Sequence, residues 1–285
     1  MITLAVGVLT TRNALPADAV LEAQARTERL TLRMLAENSV VAPGKPVSIL
    51  LEQKIIPGWH TYWRNPGDSG RPTAIDWKLP PKATADPIQW PVPERIAVGP
   101  LANYGYVEHV GLISDLHVPT DWPAGKMFPI VANVTWFVCS DICIPERHKF
   151  SLNLPSATTV TRASGVASLF ADARATQPAP SEWWNHLSSE GGSTVFSVSM
   201  PEAEARMVSN AQVFPNDWGV IDHAGKQTFS VEHGILKIRA PRGDLPVPPA
   251  FSGILVLDEN GAGGARHLAL RFDRRASAVK STPAP

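Results

Sequence analysis

Two cysteines, Cys139 and Cys143, stand four positions apart in the run Val134-Thr135-Trp136-Phe137-Val138-Cys139-Ser140-Asp141-Ile142-Cys143-Ile144-Pro145-Glu146. An apolar, aromatic stretch with strand character enters the first, and the second begins a return through residues 148–154. A tight hairpin there brings two Cβ atoms within the ~3.5–4.5 Å that a disulfide requires. Three chemistries fit the pair. As a structural staple it closes a loop of about five residues and adds only about 2 kcal/mol in the chain-entropy account. As a metal site it offers, with His148, soft ligands to Cu(I) or Zn(II); tetrahedral zinc wants a fourth ligand, and no second Cys/His cluster is apparent. As a redox dithiol it needs only a reachable thiol and a partner sulfur to attack. The residues by themselves leave all three open. With two cysteines in all, the chain is not a small fold built on a disulfide framework.

Other candidates are weaker. Asp141, inside the loop, can oppose a thiolate by charge repulsion or accept a proton, and it suits a turn equally well. His60 stands among Trp59, Tyr62 and Trp63 and reads as a core or rim residue; His148 reads as a solvated strand residue. Asn65-Pro66-Gly67-Asp68-Ser69-Gly70 has the glycines of a phosphate loop but not its Lys-Ser/Thr, and reads as an ordinary loop. No Gly-x-Ser-x-Gly, His-Glu-x-x-His or dinucleotide fingerprint occurs, so hydrolase and nicotinamide chemistry have no support.

The elements that must position the cysteines read as β. Residues 29–35, 47–55, 75–79, 112–118, 129–138 and 149–154 have strand character, separated by turn signals such as Pro43-Gly44-Lys45-Pro46. Residues 59–63 form an aromatic run, and residues 87–106, broken by Pro87, Pro91, Pro93 and Pro100, read as irregular. Short strands without helix-period segments between them indicate an antiparallel sandwich. The character changes after residue 156. Val166, Leu169, Phe170 and Ala173 fall at helical spacing, then strand-like segments resume at 194–198, 206–214, 219–222, 228–231, 235–240, 254–258 and 267–272, with residues 261–264 as a hairpin connection. The expected fold class is therefore all-β: two antiparallel β-sandwich domains joined by a short helical linker. The boundaries are a leader at 1–21, a first domain at 22–156, a linker at 157–181, a second domain at 182–273 and a tail at 274–285.

Composition narrows the class further. A hydrophobic content of 44% and 26 acidic against 26 basic residues describe a globular chain with no basic surplus, which argues against nucleic acid as a partner. No apolar run approaches the ~18 residues of a spanning helix. Residues 2–9 are apolar and Ala17-Asp18-Ala19 has small-x-small spacing, but polar residues interrupt the run and no positive charge precedes it. An export signal and a plain leader both fit.

Gly58-Trp59-His60-Thr61-Tyr62-Trp63, Trp90-Pro91 leading to Tyr104-Gly105-Tyr106, and residues 136–146 together resemble one family. It is the N-terminal periplasmic domain of DsbD-type thiol:disulfide interchange proteins, and more closely the ScsB branch, named for suppression of copper sensitivity. The likeness covers about residues 30–155 and is most specific in Cys-x3-Cys-Ile-Pro-Glu. It implies an immunoglobulin-like sandwich with the cysteines on neighbouring strands beneath a mobile cap, here about residues 96–106. It implies thiol–disulfide exchange without a cofactor or metal, with Cys139 and Cys143 as the exchanging pair and Cys143 as the sulfur that forms the mixed disulfide. The implied partners are a thioredoxin-like domain or protein as electron donor, a transmembrane domain of the full-length protein, and periplasmic thioredoxin-fold substrates. Where DsbD has an Asp-Glu pair and a capping Phe, this chain has Leu101, Ala102 and Asn103. Acid/base and shielding roles are then expected to pass to Asp141, Glu108 or Tyr104, with Tyr104 and Tyr106 either covering the sulfurs or simply packing. The alternative is a non-catalytic immunoglobulin-like binding module, for copper or adhesion, stapled by a structural disulfide.

Overall fold

The computed structural model describes residues 15–248, 251–261 and 264–273. The first half runs β1 (Glu22–Arg26), β2 (Leu30–Ala36), β3 (Asn38–Val40), β4 (Pro46–Ile55), β5 (His60–Gly67), β6 (Ala74–Lys78) and β7 (Thr84–Ala85). It continues with β8 (Glu94–Val98), β9 (Leu101–Val107), β10 (His109–His117), β11 (Met127–Cys139) and β12 (Cys143–Pro155). After β13 (Thr161–Arg162) come helix α1 (Ala167–Ala175), β14 (Ala179–Pro180), β15 (Asn185–Glu190), β16 (Ser193–Ser199) and helix α2 (Glu202–Ala205). The chain ends with β17 (Val208–Pro215), β18 (Thr228–Glu232), β19 (Ile235–Pro241), β20 (Gly253–Gly261) and β21 (Gly264–Phe272).

Two sheets enclose the first core. One has the order β1-β2-β4-β10-β7; the other has β12-β11-β5-β9-β8, with β6 also on β11. Alternation explains how they close. Leu30, Leu32 and Met34 of β2, Val47, Ile49 and Leu51 of β4, and Phe128, Ile130, Ala132, Val134, Trp136 and Val138 of β11 all point into one buried cluster. The opposite parity of the first sheet, Leu35, Leu50 and Ile113, is also apolar, and α1 covers it with Phe170 and Ala173. Burying Phe170 contributes roughly 1.5–3 kcal/mol, and Arg174 fixes the helix by donating from both terminal nitrogens to the two Glu37 oxygens, each at 2.8 Å. The expected linker is thus partly a docked helix. Gly111 permits that docking, because a Cβ there would lie 2.7 Å from the Ala173 methyl.

The second half stacks β14-β21-β20-β17 on β15-β16-β19-β18 around its own cluster, including Phe196, Leu236, Ile238, Leu255 and Phe272. Phe214 and Ile254, however, belong to the first cluster. Apart from the parallel β14–β21 pair, the named strand pairs of these sheets are antiparallel, and the chain is an all-β protein of immunoglobulin-like type.

Three local readings need correction. Residues 87–106 are irregular only in their first part; β8 and β9 form a hairpin around Gly99-Pro100, the prolines having masked two short strands. Residues 219–222 make a single bridge, Ile221 to Arg242, rather than a strand. β1 and β15 carry too few β-branched or aromatic residues to announce themselves. Gly261 pairs with Gly264 as a hairpin connection requires, while residues 262–263 between them lie outside the described residues. So do residues 1–14 of the expected leader and the whole tail; Val20 of the leader bridges Asn153.

Candidate functional site

β11 and β12 pair without interruption from Met127 opposite Pro155 to Cys139 opposite Cys143. The tip is residues 140–142, where the Ser140 N–H donates to the Ile142 carbonyl at 3.1 Å. The cysteines are the last opposed pair, with Cα atoms 4.2 Å apart and their sulfurs bonded. They are not equivalent. Cys139 is 1% exposed, Cys143 is exposed, and Ile142 beside it is 64% exposed.

Strand parity selects what surrounds them. Directly opposed residues of an antiparallel ladder share a face. Cys139 opposes His60, His60 opposes Val107, and Tyr62 opposes Gly105. His60 and Tyr62 therefore lie on the cysteine face, while Trp63 packs in the first core. The Tyr62 hydroxyl reaches the Cys143 Sγ at 3.2 Å. A disulfide sulfur has no proton, so the phenol donates. Burial pushes the Tyr62 phenol up and the His60 imidazole down, which keeps the first protonated and the second neutral. The rings meet edge to face, centroids 5.1 Å apart. Gly70, at φ +78°, makes room for the phenol: a Cβ there would fall 2.0 Å from the Tyr62 Cζ.

Asn103 of β9 joins this face. Its amide nitrogen donates to the His60 Nε2 at 3.2 Å and lies 3.5 Å from the Tyr62 oxygen. Its carbonyl oxygen accepts from the Ser69 N–H at 3.1 Å and from the Ser69 hydroxyl at 3.0 Å. An amide held by these partners is oriented, and through it the phenol is oriented too.

The remaining expected site residues are placed elsewhere. Tyr104 and Tyr106 sit one step off the parity of Asn103 and turn into the first core. Tyr104 packs edge-on against Phe214, and the Tyr106 hydroxyl donates to the Pro91 carbonyl at 2.9 Å. The phenol at the sulfur is Tyr62 instead. Glu108 occupies the tight turn between β9 and β10 at φ +57°, exposed, with its carbonyl accepting the Ile55 N–H at 2.7 Å. Asp141 is exposed at the hairpin tip. His148 makes an edge contact with Phe150. Among the described residues no group of three or more His, Cys, Asp or Glu side chains is placed to hold a metal ion. Also among them, no helix is long and apolar enough to cross a membrane. Sequence reasoning missed Tyr62 and Asn103 as site residues; the two-residue alternation of β5 and β9 separates their faces but does not say which face meets the cysteines.

An immunoglobulin-like β protein with a cysteine pair closing a surface hairpin, and a phenol on the exposed sulfur, has the architecture of a thiol–disulfide interchange domain. Residues 31–155 match the family described as thiol:disulfide interchange protein DsbD, N-terminal. The crystal structure of the N-terminal periplasmic domain of ScsB from Proteus mirabilis is similar in fold, with a TM-score of 0.61 and 18% identity. That match covers 90% of this chain and all of the other. A YadV chaperone structure aligns at a TM-score of 0.23 and 12% identity, over 84% of this chain and 99% of that one, too weakly to support an argument. No curated protein sequence gives a significant match.

Proposed function

We propose that this chain is the electron-relaying periplasmic part of an ScsB-like reductase, passing reducing equivalents from a thioredoxin-like donor to periplasmic substrate proteins, with copper-stress tolerance as its setting. One observation carries the roles of the sulfurs: Cys143 is exposed while Cys139, its bonded partner, is 1% exposed. A partner protein meets Cys143 first. In the reduced pair, the Cys143 thiolate attacks one sulfur of the substrate disulfide, that S–S bond breaks, and the departing sulfur leaves as a thiolate that takes up a proton. Cys139 then loses its proton and attacks the Cys143 sulfur of the mixed disulfide, freeing the substrate's second thiol. Two electrons and two protons have passed to the substrate, and the chain is left with the Cys139–Cys143 bond. Tyr62 donates a hydrogen bond to the Cys143 sulfur in the disulfide at 3.2 Å; kept in the reduced pair, the same bond favours the thiolate. The reduced pair is regenerated by the same steps in reverse, with the thioredoxin-like donor as dithiol.

Single-cysteine variants test the roles. Cys139→Ser retains the attacking sulfur and should accumulate a mixed disulfide with a thioredoxin-like protein, visible on non-reducing gels, whereas Cys143→Ser should not. Two folded variants that both fail to trap a partner would remove the pair from exchange chemistry, and unfolding of both would favour the staple.

A further inference from the structure

The second half of the chain reaches the redox site through one carboxylate. Asp68 follows directly on β5. Its Oδ2 accepts the Ala102 N–H at 2.7 Å, and its own N–H donates to the Ala102 carbonyl at 3.0 Å, which pins the backbone next to Asn103. Its Oδ1 lies 2.9 Å from Nδ1 of His223, which is 3% exposed. A carboxylate at this distance accepts, so Nδ1 carries the proton.

Other contacts between the halves fall on the same elements. The Asn65 amide donates to the Pro215 carbonyl at 2.8 Å, and the Trp218 indole N–H to the Gly67 carbonyl at 2.8 Å. Arg95 donates to the carbonyls of His223 and Ala224 at 3.1 and 2.6 Å. Tyr104 meets the ring of His223 edge-on, centroids 5.2 Å apart. All of these land on β5, on the turn after it, or on the β8–β9 hairpin, which carry Tyr62 and Asn103. Packing alone does not account for His223. Among the described residues its Nε2 is buried without a hydrogen-bond partner, a cost that an apolar side chain of similar size would avoid. What the imidazole supplies is the bond from Nδ1 to Asp68.

We propose that His223 is a positioning residue for the redox pair: by holding Asp68 it fixes the Ala102–Asn103 backbone, and Asn103 in turn holds the Tyr62 hydroxyl on Cys143. The second half of the chain thereby tunes a thiol on the first. This rests on the reading of Cys143 as the attacking sulfur.

The test is the alkylation rate of Cys143 by iodoacetamide at fixed neutral pH, in the reduced full chain, followed by peptide mass spectrometry. His223→Leu should slow the reaction by about twofold or more, and by no more than Tyr62→Phe does. In the Tyr62→Phe background His223→Leu should add nothing, because the route to the sulfur is already cut. His223→Asn, whose amide N–H replaces the Nδ1–H, should restore most of the rate. An unchanged rate in folded His223→Leu overturns the proposal, as does equal slowing with and without the Tyr62 hydroxyl, or no recovery with Asn. If His223→Leu does not fold, Asp68→Ala carries the same expectation, since no side-chain oxygen is left to accept from His223 or from the Ala102 N–H. Exchange with a thioredoxin-like protein is measured in parallel. A wild type that alkylates as described but does not exchange removes the relay reading and leaves the positioning role standing.

Discussion

Tyr62→Phe removes one oxygen and leaves the ring. The edge contact with His60 and the space above Gly70 are kept, so the fold should survive while Cys143 loses its donor at 3.2 Å. A hydrogen bond to a charged acceptor is worth about 1.5–3 kcal/mol. With about 1.4 kcal/mol per factor of ten, the thiolate fraction of reduced Cys143 at pH 7 should fall roughly 10- to 100-fold. The rate falls less, because a more basic thiolate is a better nucleophile, with a Brønsted slope of about 0.4–0.5. That slope returns nearly half of the loss on a logarithmic scale, so alkylation should slow by about 3- to 10-fold. The midpoint of its pH profile should move upward. The assay is stopped-time iodoacetamide labelling across pH, with circular dichroism as the check on folding. A folded variant with an unshifted profile and an undiminished rate would refute the assignment of the phenol as the thiolate's partner.

Cys139→Ser and Cys143→Ser should each lower stability by about 2 kcal/mol, against a total of about 5–15 kcal/mol, so urea unfolding should give shifted but cooperative transitions. The paired Arg174 holds the Glu37 carboxyl below its ordinary value of 4.5. Because the unfolded chain then binds more protons there, this contribution is complete above pH 4.5 and is lost as pH falls through the folded value. Glu37→Gln should cost about 1 kcal/mol at pH 7 and flatten the acid limb of stability measured by chemical denaturation. Gly70→Ala places a Cβ into the Tyr62 ring at a positive φ; it should destabilise by about 1–3 kcal/mol and slow Cys143 alkylation along with it, both read on the same preparation.

The cysteine hairpin was legible because its signals are local: an aromatic alternating strand, a three-residue tip and a returning strand, all within residues 127–155. Helix α1 was legible for the same reason, through Phe170 and Ala173 at helical spacing. What surrounds the sulfurs was not. The choice between Tyr62 and Tyr104 as the sulfur's neighbour is made by the register of β5 against β9. A slip of one residue there would exchange the two faces, and nothing in the composition of either strand sets that register. Asn65-Pro66-Gly67-Asp68-Ser69-Gly70 has the look of a plain loop, yet Ser69 anchors Asn103 and Asp68 meets His223 across 155 positions. Such contacts belong to tertiary packing and have no spacing that a sequence pattern can carry.

The unequal burial of the two sulfurs also governs what happens when the attacker is a peroxide rather than a protein. Peroxide meets the Cys143 thiolate first and leaves a sulfenic acid, releasing hydroxide. Cys139 stands opposite on the same ladder, Cα to Cα 4.2 Å, and its thiol condenses with that sulfenic acid, expelling water and forming the disulfide. A second peroxide finds no sulfenic acid to carry to the irreversible sulfinic state. Damage at the exposed sulfur is converted, within one hairpin, into the same Cys139–Cys143 disulfide that the structure holds.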